Sequence, residues 1–319
     1  MIHRAAVALI ISFASPALAE DFLLELPNDC DLDSEDCYIQ QYVDIDPGPG
    51  SSDFMCAGLS YDGHRGTDFA LPTYAEIANN VPVIASAPGR VVGFRDGMPD
   101  IGQAADVEGR ECGNGVVLDH EGGWQTQYCH LKEGSVKVAR GQTVALGEVL
   151  GYVGQSGKAD FPHVHLSVRK DGTPVDPFDP DGTVSCATPG DSTLWVDTPV
   201  YQPGGLLDAG FTDKIPEYSA VKAGTADAVA LEPTSPAFVL FGLVFGPRDG
   251  DTLRMRIEGP DGFLLENDQT FDRNQAQAFR AVGQRRRSAL WASGTYVGTL
   301  NMIRDGDIIS TMSRQITLP

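Results

Sequence analysis

Four of the six histidines in this 319-residue chain fall into three short motifs: His64-Arg65-Gly66-Thr67-Asp68, Tyr128-Cys129-His130-Leu131 and His163-Val164-His165. A single imidazole is usually a surface group or a satisfied core residue, an account that fits this gathering poorly. A hydrolytic zinc centre takes about three protein ligands from His, Asp or Glu and leaves a fourth position to water. The pKa of that water falls to roughly 7, which makes it a nucleophile at neutral pH. A spacing of two places the rings of His163 and His165 on one face of a strand and Val164 on the other, in the core. One ring can then bind metal while its neighbour faces the water or the substrate. His64 and Asp68 stand four apart across a glycine, a turn-like spacing that converges two ligands on one ion. The chain has no H-E-x-x-H motif and so lacks the glutamate base found on such helices. Acid–base work therefore falls to the spare histidines.

The segments that must position these groups read as strands. From about 56 to 187, short apolar runs alternate with glycines, at residues 81–85, 90–94, 116–119, 126–131, 142–150 and 163–168. That pattern predicts a compact antiparallel β-domain. Residues 116–120 and 124–130 read as one hairpin around Glu121-Gly122-Gly123.

In order and spacing, the stretch from Gly63 to Pro177 resembles the catalytic domain of the lysostaphin/LytM-type zinc metallopeptidases, the M23 class. The resemblance rests on the H-x-G-x-D of residues 64–68, Gly89-Arg90-Val91-Val92, the G-N-x-V-x-x-x-H run from Gly113 to His120, and Tyr128-Cys129-His130-Leu131. It continues through Val138-Ala139-Arg140-Gly141-Gln142-Thr143-Val144, Gly151-Tyr152-Val153-Gly154-Gln155-Ser156-Gly157, the His163-Val164-His165 strand and Pro174-Val175-Asp176-Pro177. It covers a little over a third of the chain.

The resemblance implies that His64, Asp68 and His165 are the Zn2+ ligands. His130 and His163 would flank the activated water as catalytic acid–base groups, and His120 reads as structural. It implies a zinc endopeptidase that cuts peptide cross-links of peptidoglycan, with D-Ala–diaminopimelate bonds first and glycine-rich bridges or a protein substrate as alternatives. A relative that has lost ligands and activates wall amidases is the rival reading, but a degenerate copy should lack one of these five residues, and all five are present. A lipoyl- or biotinyl-carrier reading of residues 138–151 fails because the turn Leu146-Gly147-Glu148 has no lysine. Two features depart from the family. The approach to the H-x-H is a bulkier Lys158-Ala159-Asp160-Phe161-Pro162, which would alter specificity, and residues 95–112 form a long loop placed to roof the groove.

Bulk properties agree with an exported protein. Hydrophobic residues make up 42% and charged residues 21%, as in folded globular chains. Gly 36 and Pro 21 suit a turn-rich all-β protein. A net charge of −21 argues against nucleic acid or anionic lipid as partner. His3 and Arg4 before an apolar run, with Ala17-Leu18-Ala19 ahead of Glu20, read as a signal peptide over 1–19, too short to span a membrane. Periplasmic or secreted localisation in a Gram-negative cell follows. All six cysteines lie beyond that site, and an even number in an oxidising compartment suggests disulfides, with 15 possible pairings. The hairpin favours Cys112–Cys129, a short local loop suits Cys30–Cys37, and Cys56–Cys186 would then tie the ends of the catalytic region.

The domain plan is a signal peptide, an acidic extension over 20–55, the peptidase domain over 56–187 and a β-sandwich over 188–319. The extension reads as solvated, since its acids lack the glycine and glutamate spacing of a calcium loop. A Pro/Gly/Asp-rich linker lies near 188–192. Beyond it, residues 237–245, 252–259 and 294–304 read as strands, with Leu253, Met255 and Ile257 alternating with Arg254, Arg256 and Glu258. Trp291, Gly294 and Tyr296 resemble the W-x-x-G-x-Y corner of immunoglobulin- or fibronectin-like modules. No histidine follows position 165, so an accessory role is expected there.

Overall fold

A computed structural model describes residues 22–32, 34–102, 107–183, 192–228 and 230–319. The signal peptide over 1–19, Cys186 and most of the expected linker lie outside the described residues.

The protein is built almost wholly from antiparallel strands, as expected. The first ten are β1 (Tyr38–Gln41), β2 (Thr67–Ala70), β3 (Pro82–Ile84), β4 (Gly89–Arg95), β5 (Asn114–Asp119), β6 (Trp124–Leu131), β7 (Thr143–Val144), β8 (Val149–Tyr152), β9 (His163–Lys170) and β10 (Thr173–Val175). Among the described residues, one sheet runs β1-β2-β9-β6-β5-β4-β7, with β10 on the far half of β9, and β3 pairs with β8 beside it. The expected hairpin is β5–β6, joined by the short turn Glu121–Gly123. Along β9, Val164, Leu166 and Val168 enter the core with Phe69, Val116, Leu118 and Tyr128. Pleating sends His163, His165 and Ser167 to the opposite face.

The extension differs from expectation: its Tyr38–Gln41 is the edge strand of the large sheet, not a solvated tail. Ile39 and Tyr42 are fully buried, and the buried Gln40 is hydrogen-bonded to Tyr38 and to Ala276. Long-range pairing with β2 overrides the acidic local composition on either side.

The later strands are β11 (Gly205–Thr212), β12 (Ala237–Phe245), β13 (Thr252–Glu258), β14 (Leu264–Thr270), β15 (Gln277–Arg285), β16 (Gly294–Arg304) and β17 (Asp307–Leu318). They form sheets β11-β12-β15 and β14-β13-β16-β17. Leu253, Met255 and Ile257 are buried between them, and the Tyr296 hydroxyl donates to the Ala292 carbonyl at the corner. This is compatible with an immunoglobulin- or fibronectin-like sandwich. The apolar β12 is buried on both faces: Phe238, Leu240 and Val244 fill the sandwich core, while Phe241, Leu243 and Phe245 join the core beneath the first sheet. Among the described residues, the helix α1 (Tyr218–Ala223) follows β11.

The disulfides Cys30–Cys37 and Cys112–Cys129 are both formed. The long loop after β4 is tied down by its own polar groups. Met98 exchanges hydrogen bonds with the Asn114 side chain, and Asp100 accepts from the backbone N–H groups of Glu133 and Gln155.

Candidate metal centre

Strand register brings the motifs together. Asp68 of β2 lies directly opposite His165 of β9, and Cys129 of β6 faces His165 from the other side. The H-x-H strand is thus flanked by the Asp68 strand and by the strand that carries His130. Gly66 permits the close approach, because a Cβ there would lie 2.5 Å from His165 Nε2 and 2.6 Å from the Leu166 carbonyl.

Three donor atoms converge. His64 Nε2 lies 3.2 Å from Asp68 Oδ1 and 3.2 Å from His165 Nδ1, which is 2.8 Å from the same carboxylate oxygen. Metal–ligand bonds of about 2.0–2.2 Å place the ligand atoms of a tetrahedral zinc site about 3.3–3.6 Å apart. The triangle has the size of one face of such a tetrahedron, its edges shorter by about 0.1–0.8 Å.

Protonation fits as well. His64 Nδ1 donates to the Tyr42 carbonyl at 2.7 Å, so the neutral ring presents the Nε2 lone pair to the centre. His165 turns Nε2 to the Ser167 hydroxyl at 3.0 Å and Nδ1 to the triad. A carboxylate and imidazole lone pairs facing one another need a cation between them, and outer partners of this kind orient metal ligands. Burial works against charge on Asp68, but His64 and His163 outweigh it and hold the carboxyl well below the usual range. Burial likewise opposes charge on His64, while Asp68 draws its pKa above the ordinary value. The attraction that raises it is available to a metal ion.

Two further imidazoles line the centre. His163 Nε2 is 3.5 Å from Asp68 Oδ1, and the His130 and His163 ring centroids are 4.6 Å apart. Their Nδ1 atoms donate to the carbonyls of Ser156 at 2.7 Å and Phe161 at 2.9 Å, leaving each Nε2 as an acceptor. Burial, then the neighbouring His163 and His165, push His130 well below its ordinary pKa. Burial also lowers His163, against the pull of Asp68. Both are neutral bases near pH 7. His130 has a φ of 65°, in the left-handed region where a non-glycine residue costs about 1–3 kcal/mol. Its N–H is held by the Cys112 carbonyl, and the Cys112–Cys129 bond closes beside it.

His120 is engaged elsewhere, with its ring nitrogens against the Pro88 carbonyl and the Thr126 hydroxyl at 2.8 Å each. Sequence reasoning missed Tyr61, which is half exposed with its ring centroid 4.4 Å from that of His64. Its only signal is its place three residues before the motif. The orienting carbonyls of Tyr42, Ser156 and Phe161 leave no side-chain signal.

Residues 62–177 match the family model described as Peptidase family M23. This segment is an M23 peptidase domain. Within it the chain is 37% identical over 116 residues to the DD-carboxypeptidase/endopeptidase Mpg of Neisseria meningitidis serogroup B, covering 36% of this chain and 22% of that protein. It is 33% identical over 112 residues to the peptidoglycan DD-endopeptidase ShyA of Vibrio cholerae serotype O1, covering 35% and 21%. The match thus spans about a fifth of these curated relatives. A zinc-containing peptidase structure from Vibrio cholerae aligns at 25% identity and a TM-score of 0.29, over 43% of this chain and 38% of that one. The M23 domain contains all five histidine and aspartate residues of the centre.

Proposed function

We propose that the protein is a zinc-dependent endopeptidase that hydrolyses peptide cross-links of peptidoglycan. The observation that carries this reading is the convergence of the His64, Asp68 and His165 donor atoms within 4.8 Å of one another, with two neutral imidazoles alongside. His64, Asp68 and His165 would hold the ion, which when bound supplies Lewis-acid polarisation of the scissile carbonyl and lowers the pKa of water. His130 and His163 do the proton work. The Nε2 lone pair of either ring takes a proton from the attacking water as its oxygen adds to the carbonyl carbon. The imidazolium then returns that proton to the amine as the C–N bond breaks, so base and acid are one group used twice.

The family of the domain and the names of its relatives support the substrate class, and D-Ala–diaminopimelate cross-links are the first choice. The signal-peptide composition and the disulfides support a periplasmic or secreted location. No described helix is long and apolar enough to cross a membrane. Residues beyond 188 serve as an accessory module.

The test incubates the purified mature protein with defined peptidoglycan fragments, with and without a chelator, and identifies the products by mass spectrometry. Cross-link cleavage that stops on chelation and returns with zinc is expected. Absent or chelator-insensitive cleavage with sub-stoichiometric zinc would overturn the reading in favour of a wall-binding protein.

A further inference from the structure

A short 3-10 turn, Tyr74–Asn79, is hydrogen-bonded to the segment that follows the His130 strand and to the one that precedes the His163 strand. On one side Lys132, two residues past His130, donates from Nζ to the Ile77 carbonyl at 3.0 Å and to Asn80 Oδ1 at 2.6 Å. On the other, the Tyr74 hydroxyl donates to the Asp160 carbonyl at 2.9 Å. The next carbonyl along, that of Phe161, accepts the Nδ1–H of His163, and the Phe161 ring centroid is 4.5 Å from that of His163. Tyr74 therefore grips the chain one peptide before the group that sets the tautomer of His163.

The turn is itself held by the C-terminal half. Lys222 of α1 places Nζ 5.6 Å from the Tyr74 ring centroid and 5.4 Å from that of Tyr218, within reach of a cation–π interaction. Tyr218 stacks on Phe279 of β15 at 5.3 Å, and Val221 is fully buried. Gly224, with φ of 71°, ends α1 so close to the turn that a Cβ would meet Thr73 Oγ1 at 2.2 Å and Ala75 Cβ at 3.1 Å. Thr73 and Glu76 close a capping box that fixes the start of the turn. The chain of contacts is continuous from β15 through α1 and Tyr74 to His163.

We propose that Tyr74 is a positioning residue for the active site: braced by Lys222, it fixes the Asp160 carbonyl and so the groove wall and imidazole orientation at His163. The proposal rests on the endopeptidase reading for its kinetic consequence but not for its structural one. It gives the C-terminal module a part in the chemistry beyond docking.

Tyr74→Phe removes the hydroxyl and keeps the ring. One neutral hydrogen bond corresponds to a loss of about 2–10-fold, expected mainly in kcat, with a changed pH profile and unaltered zinc stoichiometry. Amide hydrogen exchange at Asp160, Phe161 and His163 should quicken. Lys222→Met should act in the same direction, and Lys222→Arg, which keeps the cation over the ring, should restore wild-type values. Unchanged kcat, KM, pH profile and exchange in Tyr74→Phe would overturn the proposal. Exchange is read without substrate, so a wild-type protein that cleaves nothing sinks the endopeptidase reading while exchange still decides the coupling.

Discussion

The carbonyl oxygen of Tyr42 accepts the Nδ1–H of His64 at 2.7 Å, which makes the N-terminal segment an outer partner of the proposed metal triad. With that tautomer set, Asp68 Oδ1 faces imidazole nitrogens of His64 and His165 at 3.2 and 2.8 Å and supplies the one formal negative charge of the triad. Asp68→Asn keeps the shape and removes the charge. Zinc affinity should fall by more than about 100-fold, beyond the range seen for outer partners alone. Competition with a chromophoric chelator measures it, and an affinity near wild type would exclude Asp68 as a ligand.

His130 and His163 should separate cleanly from the ligands. Alanine at either position should leave one zinc per chain and lower kcat by about 100- to 10,000-fold, the range for positioned acid–base groups. Metal content by mass spectrometry alongside steady-state kinetics checks this. A variant that loses its zinc as well as its rate would have to be reassigned as a ligand variant.

Much of the centre was legible because chemistry restricts residue type. His64, Asp68, His130, His163 and His165 stand out as scarce residues at strand-like or turn-like spacing, and the β5–β6 hairpin follows from alternation around Glu121-Gly122-Gly123. The edge strand Tyr38–Gln41 did not stand out, since four residues carry almost no period and one of the four is a buried glutamine. The carbonyls of Tyr42, Ser156 and Phe161 act through backbone atoms that every residue possesses. The nine-residue apolar run of β12 did hold an unused clue, because a strand apolar throughout is one covered on both faces. That pattern points to packing against a further layer, which is where Phe241, Leu243 and Phe245 are found.

The disulfide beside His130 should matter more to rate than to fold. Cys112 and Cys129 close a loop of sequence separation 17, and a bond of that reach contributes about 2–4 kcal/mol. The left-handed backbone of His130 follows directly after that bond, and its N–H donates to the Cys112 carbonyl. Replacing both cysteines by serine should therefore lower kcat at temperatures where the variant remains folded. Circular dichroism and kinetics on one sample separate the two effects. A variant that is folded and fully active would show that the hydrogen bonds suffice to hold His130.

Stability should fall with rising pH because of Asp176. Its carboxyl is 7% exposed, Oδ1 accepts the Phe178 N–H at 2.9 Å, and Oδ2 is buried with no hydrogen-bond partner among the described residues. Burial, against the Phe178 bond and with added repulsion from Asp179 and Asp53, pushes its pKa from 3.8 up to about 7. The folded protein thus keeps a proton that the unfolded chain loses above pH 4, so unfolding releases a proton over that interval and higher pH favours it. The contribution is fully present below about pH 4 and is lost by about pH 7; three units at 1.36 kcal/mol each set a ceiling of about 4 kcal/mol. Asp176→Asn cannot ionise, and urea unfolding from pH 4.5 to 7.5 should show its stability rising relative to wild type as pH increases. A constant difference across that range would mean that Asp176 is already ionised in the folded protein.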